Sequence, residues 1–179
     1  MLGDSAVHAR VAWALALDAG SRGDTADAGP EDEGLSSILA GLGHAARGEW
    51  QAALAATEPA LALDSAGHAP DPFLRAVLHL KRGEWLERAG RAEDADRSWL
   101  WYENLDLVGW PDAEAQPAEV DWALATHARS RRARAALASG DPAGGCALAG
   151  AVAEAWSEAE PAVAAVGREL AAAAKACPR

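Results

Sequence analysis

A chain of 179 residues is long enough for one compact domain or a short array of repeats, and with half of its residues hydrophobic it can bury a sizeable core. Its net charge of −11 lacks the basic field that a phosphate-binding surface needs, so nucleic acid is set aside as a partner. Forty-eight alanines against one Ile, eight Val and three Thr exclude a mostly-β fold, because alanine is the strongest helix former and β-branched residues are the natural strand formers.

The longest clean apolar run, Val11 to Leu17, is far short of the ~20 residues of a transmembrane helix, so no membrane insertion is expected. The N-terminus lacks the basic and apolar regions of a signal peptide. It opens almost inside a helix, which is the start expected of a fragment or tail of a longer protein.

In chain order, residues 5–20 are expected to form a helix with Ser5 as N-cap, Val7, Val11 and Leu15 inward and Gly20 as the stop. A loop over 21–34 follows, whose acidic spacing does not match a calcium-binding loop. A helix over 34–47 carries Leu35, Ile38, Leu39 and Leu42 and is broken by Gly48. Its partner runs from Trp50 through Ala53 and Leu54 to about Leu63, with a kink expected at Pro59. Residues 64–71 read as a linker, and Pro72 opens a long helix that reaches Gly90 through Val77, Leu80 and Leu86. In the helix after Gly90, Trp99 and Tyr102 share one face and Trp101 and Leu105 another, the pattern of a helix sandwiched between neighbours. A long loop over 108–117 leads to a helix over about 118–138, a turn at Gly140-Asp141-Pro142, and closing helices over about 143–159 and 161–176. The expectation is a single all-α domain over 1–179, with about seven helices joined as antiparallel hairpins.

An internal repeat supports that reading. Gly41, Gly48, Ala53 and Ala60 recur at offsets of 7, 12 and 19 as Gly83, Gly90, Ala95 and Tyr102, and more weakly as Ala133, Gly140, Gly145 and Val152. These positions resemble the tetratricopeptide repeat, in which small residues sit where the two helices of a hairpin cross. Gly41 and Gly83 match the small position of the first helix, Ala53 and Ala95 that of the second, and Ala60 the one after it. The units lie 42 and 50 residues apart instead of about 34, and the large aromatics are displaced, so the resemblance is to a degenerate array over 33–160. The run RGEWLERAG to EVDW is also similar, more loosely, to the helical-repeat tails of bacterial serine/threonine kinases and large transcriptional regulators. The resemblance implies an α-solenoid that serves as a non-catalytic, regulatory scaffold binding a protein or peptide, a ligand-sensing domain, or a structural tail packed on an attached domain.

Five of the nine Trp and Tyr residues, Trp99, Trp101, Tyr102, Trp110 and Trp122, fall within 24 positions, interleaved with acids that include Glu103 and Asp121. These seven are the candidate partner-binding residues: Trp and Tyr contribute large contact areas with little entropy loss. Bulky rings filling gaps between alanine-rich helices are the commoner arrangement. Trp101 and Trp110 are the rings expected to be exposed. Arg129, Arg131, Arg132 and Arg134 are expected to pair with the acidic residues or stack on the indoles. His8, His44, His68, His79 and His127 are scattered without metal-ligand spacing, and no phosphate loop or nucleophile motif is legible. No catalytic residue, metal or cofactor is therefore expected, and the chain is not read as an enzyme.

Cys146 lies 14 residues before Glu160 and Cys177 17 after it. In an antiparallel pair of helices turning at Glu160 the two are offset by about three residues, ~4.5 Å along the axis. A disulfide and two independent thiols are both open. The thiol form suits the cytoplasm, the default expectation, and the bridged form an extracytoplasmic setting with a membrane segment upstream.

Overall fold

The computed structural model describes residues 18–20, 22–23, 33–65, 72–104 and 120–177. All regular structure among them is helical and none is strand. Most of the helix expected over 5–20, of which 18–20 are helical, most of the loop over 21–34, the loop over 108–117 and most of the 64–71 linker lie outside the described residues. Among the described residues no helix is long and apolar enough to cross a membrane. Contacts divide the chain into two compact units, 1–95 and 96–179.

Unit 1 contains α1 (Glu33–Ala46), α2 (Trp50–Ala56), α3 (Glu58–Ser65), α4 (Pro72–Arg88) and the start of α5 (Ala92–Leu100). Leu35, Ile38, Leu39 and Leu42 recur on one face of α1 and are all buried, as are Leu54, Leu74, Leu78, Trp85 and Leu86. α1 packs against α2, α3 and α4. The approach is closest at Gly41, where a Cβ would lie 2.8 Å from both Thr57 Cγ2 and Trp85 Cη2.

The segment from Trp50 to Leu63, expected as one kinked helix, is two helices that break at Thr57. Pro59 has no N–H to donate back to Ala55 and its ring crowds the preceding turn. Other groups serve the break. The Thr57 hydroxyl donates to the Leu54 carbonyl (2.9 Å), and Arg82 on α4 donates to that same carbonyl (3.0 Å), to Thr57 Oγ1 (2.7 Å) and to Glu58 (2.8 Å). One guanidinium, 12% exposed, thus fastens α4 to the junction of α2 and α3.

Unit 2 holds the rest of α5, a 3-10 turn (Trp101–Asn104), a π turn (Val120–Ala125), α6 (Thr126–Ser139), α7 (Pro142–Ala155) and α8 (Pro161–Lys175). The helix expected to carry Trp101 and Tyr102 ends at Leu100, and the chain tightens into the 3-10 turn, as helix ends commonly do. α7 starts at Pro142 with the Asp141 carboxylate accepting from the Gly144 N–H (3.1 Å), an N-cap beside a proline whose missing donor is not needed there. The cluster that joins α6, α7 and α8 is Ala133, Ala149, Val152, Trp156 and Leu170, flanked by half-buried Leu148, Val163, Val166 and Ala174, and Trp99 and Tyr102 are buried in the same unit. At Gly145 of α7 a Cβ would lie 2.7 Å from Leu137 Cγ of α6.

Three turns are built alike. Gly48, Gly90 and Gly140 have φ of 76°, 76° and 82°, a region open to glycine and costly for other residues. In each, the residue after the glycine donates to the carbonyl five residues back: Glu49 to His44 (3.0 Å), Arg91 to Leu86 (2.8 Å) and Asp141 to Ala136 (2.9 Å). This is the Schellman closure of a helix C-terminus. In all three the next helix starts at once.

Candidate functional site

The aromatic and charged residues singled out from the sequence collect in unit 2, where the 3-10 turn packs against the π turn and the π turn leads into α6. Here α6 presents its arginines to acids on other elements. Arg129 grips Glu103 with two bonds of 2.9 and 3.3 Å. Arg132 donates to Asp96 (2.9 Å) and lies 3.7 Å from Glu103. Arg134 binds Glu169 of α8 through two bonds of 3.1 and 2.9 Å, and this contact holds the Glu169 carboxyl below its ordinary pKa, chiefly by the hydrogen bond from Arg134. The Arg131 guanidinium carbon sits 5.9 Å from the centre of the Trp99 ring, a cation–π contact. The basic run is thus committed to acids and to an indole inside the unit. The two-pronged Arg129–Glu103 contact suits the planar guanidinium and carboxylate.

The aromatic rings divide. Trp99 and Tyr102 are buried, at 2% and 3% exposure. Trp101 is half-buried and meets Tyr102 edge to face, 5.1 Å between ring centres. Among the described residues Trp122 is the exposed ring, at 47%. Trp110 lies outside the described residues, and Asp121 is placed in the π turn with its side chain outside them. The Trp99 indole N–H is buried with no hydrogen-bond partner among the described residues, an arrangement that costs about 1–3 kcal/mol.

Trp122 is held by a clasp that sequence reasoning does not find. Its own indole N–H donates to the Ala155 carbonyl (3.1 Å), while the Trp156 indole N–H donates to the Trp122 carbonyl (2.9 Å). Trp156 is 5% exposed and part of the unit 2 core. The helix expected from about 118 is a π turn over its first residues, a form recurrent at functional sites. Here the Trp122 carbonyl serves Trp156, outside the helix ladder. Two tryptophans 34 residues apart carry no periodic signal that would pair them, since the partner is chosen by packing alone.

The residues read as repeat crossings are all buried: Gly41, Ala53, Gly83 and Ala95. Cys146 and Cys177 are joined as a disulfide, with Cα atoms 6.2 Å apart. Of the histidines, His44 shares Glu49 with Arg47 on the surface, with its Nδ1 2.7 Å from the carboxylate, and His79 is buried. His8 and His68 lie outside the described residues. Among the described residues no group of three His, Cys, Asp or Glu side chains gathers as a metal would require. No protein-family model, no curated protein and no solved structure matches this chain.

Proposed function

We propose that the chain is a non-catalytic, degenerate tetratricopeptide-like array of antiparallel hairpins, an α-solenoid that binds a protein or peptide. One observation carries this reading: the three units share four positions in structure as well as in sequence. The first-helix residue is buried in each (Gly41, Gly83, Ala133), and the turn glycine has a left-handed φ in each (Gly48, Gly90, Gly140). The small residue of the second helix is buried (Ala53, Ala95, Gly145), and so is the fourth position (Ala60, Tyr102, Val152). Such arrays present an extended surface built from successive helices.

The binding surface in this reading centres on Trp122. Its N–H is already used, so the exposed ring offers an apolar face held rigidly by the clasp to Ala155 and Trp156. An aromatic anchor of that kind is the usual centre of a peptide-binding hot spot. Selection from a random peptide library on the immobilised chain tests this. Selected peptides should bind the wild type and lose about tenfold or more in affinity to Trp122→Ala, with helicity by circular dichroism unchanged. Equal binding to both proteins rules Trp122 out as the anchor.

The unpaired Trp99 N–H favours a second reading, a small ligand that supplies the missing acceptor in the Trp-rich region. Trp99→Phe removes that donor together with the five-membered ring and keeps a six-membered aromatic face. A metabolite that quenches wild-type tryptophan fluorescence and binds Trp99→Phe equally well would defeat this reading. The disulfide favours an extracytoplasmic setting over the cytoplasm.

A further inference from the structure

The chain has two cysteines, and the structure joins them. Cys146 lies early in α7 and Cys177 just past the end of α8, with their Cα atoms 6.2 Å apart, inside the roughly 4.4–6.8 Å range of disulfides. Both are partly exposed, so small thiols and disulfides can reach them.

What the bond holds is read from α8. Its first part is anchored by side chains: Val163, Val166 and Leu170 pack on the core of Ala133, Ala149, Val152 and Trp156. Gly167 lets the backbone close on Trp156, with a Cβ there 3.3 Å from Trp156 Cβ, and Glu169 pairs with Arg134. After Leu170 the sequence is Ala-Ala-Ala-Ala-Lys-Ala-Cys. Of these alanines Ala174 packs against the core, while Ala172 and Ala176 are exposed. Methyl groups remove little apolar area from water, so the last two turns have weak side-chain anchorage and one covalent anchor at their tip.

We propose that Cys146–Cys177 is a redox latch on the C-terminal turns of α8. Closed, it docks residues 171–177 beside the start of α7. Open, it releases that segment and uncovers the α7 surface around Cys146, while Leu170 and Trp156 keep the rest of unit 2 folded. Closure uses a low-molecular-weight disulfide such as glutathione disulfide. One cysteine thiolate attacks it, forming a mixed disulfide and expelling one glutathione. The other cysteine thiolate then displaces the second glutathione, and the two S–H protons end on the two released thiols. Opening is the reverse reaction with two equivalents of thiol. The latch is closed in an oxidising compartment and open in a thiol-buffered one. It stands independently of the peptide-binding reading.

Amide hydrogen exchange on the full chain, in glutathione disulfide and in dithiothreitol, tests it. Reduction should speed exchange over residues 171–177 by about tenfold or more, with the α6, α7 and α1 amides unchanged. Cys177→Ser in the oxidising buffer should reproduce the reduced wild type. Unchanged exchange on reduction, or two alkylatable thiols in the oxidising buffer, overturns the proposal. Faster exchange across the whole of 126–177, or a Cys177→Ser chain that does not fold, also overturns it, because the bond would then be a staple on which the entire unit depends.

Discussion

In unit 1 the space between alanine-rich helices is filled by large side chains, with Leu35, Ile38, Leu42, Leu54, Leu74, Leu78 and Trp85 all buried. In unit 2 the cluster that joins α6, α7 and α8 is two alanines, a valine, a tryptophan and a leucine, and much of the fastening around it is by other means: arginines of α6 on Glu103, Asp96 and Glu169, two indole N–H groups on backbone carbonyls, and a disulfide. Burial is non-directional and grows with apolar area, so a core rich in leucine tolerates imprecision. Ion pairs and indole hydrogen bonds need their partners placed to within a few tenths of an ångström. A thin core therefore demands geometry where a thick one demands only volume.

Four outcomes would break or sharpen that contrast. Trp156→Ala should be the most damaging, costing about 3–5 kcal/mol, because its ring is the largest side chain in the cluster that joins α6, α7 and α8. Denaturant melts followed by hydrogen exchange should show the loss in α6 to α8, and a loss below about 1 kcal/mol would mean the polar fasteners carry the unit. Next, reduction of the disulfide, which closes a 31-residue span, should speed amide exchange over residues 171–177 by about tenfold or more and leave the denaturant stability of α6, α7 and α1 to α4 unaffected. A loss of about 2–4 kcal/mol across unit 2 would instead mean that the bond staples the whole unit.

In unit 1 the sign of a glycine substitution should depend on what faces it. Gly41→Ala puts a Cβ 2.8 Å from Thr57 and Trp85, in the thick core, and should cost about 1–3 kcal/mol by overpacking. Gly43→Ala, on the same helix, meets nothing nearer than an Arg47 nitrogen at 3.9 Å and should stabilise by about 0.5–1 kcal/mol through helix propensity. Thermal melts of the pair decide whether space or propensity rules there.

The smallest effect concerns surface charge in unit 1. Hydrogen bonds from Arg47, and secondarily from His44, hold the Glu49 pKa down to about 2, from an ordinary value of 4.5. A depressed carboxyl stabilises the fold above its ordinary pKa and loses that contribution as pH falls from 4.5 through about 2. The group is fully solvent-exposed, so salt should screen most of the effect. A carboxyl-carbon titration by NMR checks it. A midpoint near 4.5 would mean the Arg47 contact does not persist in solution.

Much of the helical map was legible from single residues. Pro72, Pro142 and Pro161 open helices, and Gly48, Gly90 and Gly140 close them, because ring geometry and a missing Cβ act locally. The small residues at 41, 53, 83 and 95, singled out for their repeat spacing, are all buried. The break at Thr57, the 3-10 turn at Trp101 and the π turn at Val120 were not. Two of these receive hydrogen bonds from donors far away in sequence, Arg82 at the Leu54 carbonyl and Trp156 at the Trp122 carbonyl. Of the candidate site, the arginine run and its acidic or aromatic partners were foreseen by type, whereas among the described residues the exposed ring is Trp122, and Trp101 is half-buried.

The sequence by itself determined that this chain is helical, where several of its helices start and stop, and that two cysteines lie within reach across the last two helices. Local sterics and propensity decide those matters residue by residue. Tertiary structure alone decided which tryptophan faces water, which arginine meets which acid, and that unit 2 rests on a clasp of two indoles. Those depend on directional bonds between residues 26 to 36 positions apart, for which the chain carries no local signal.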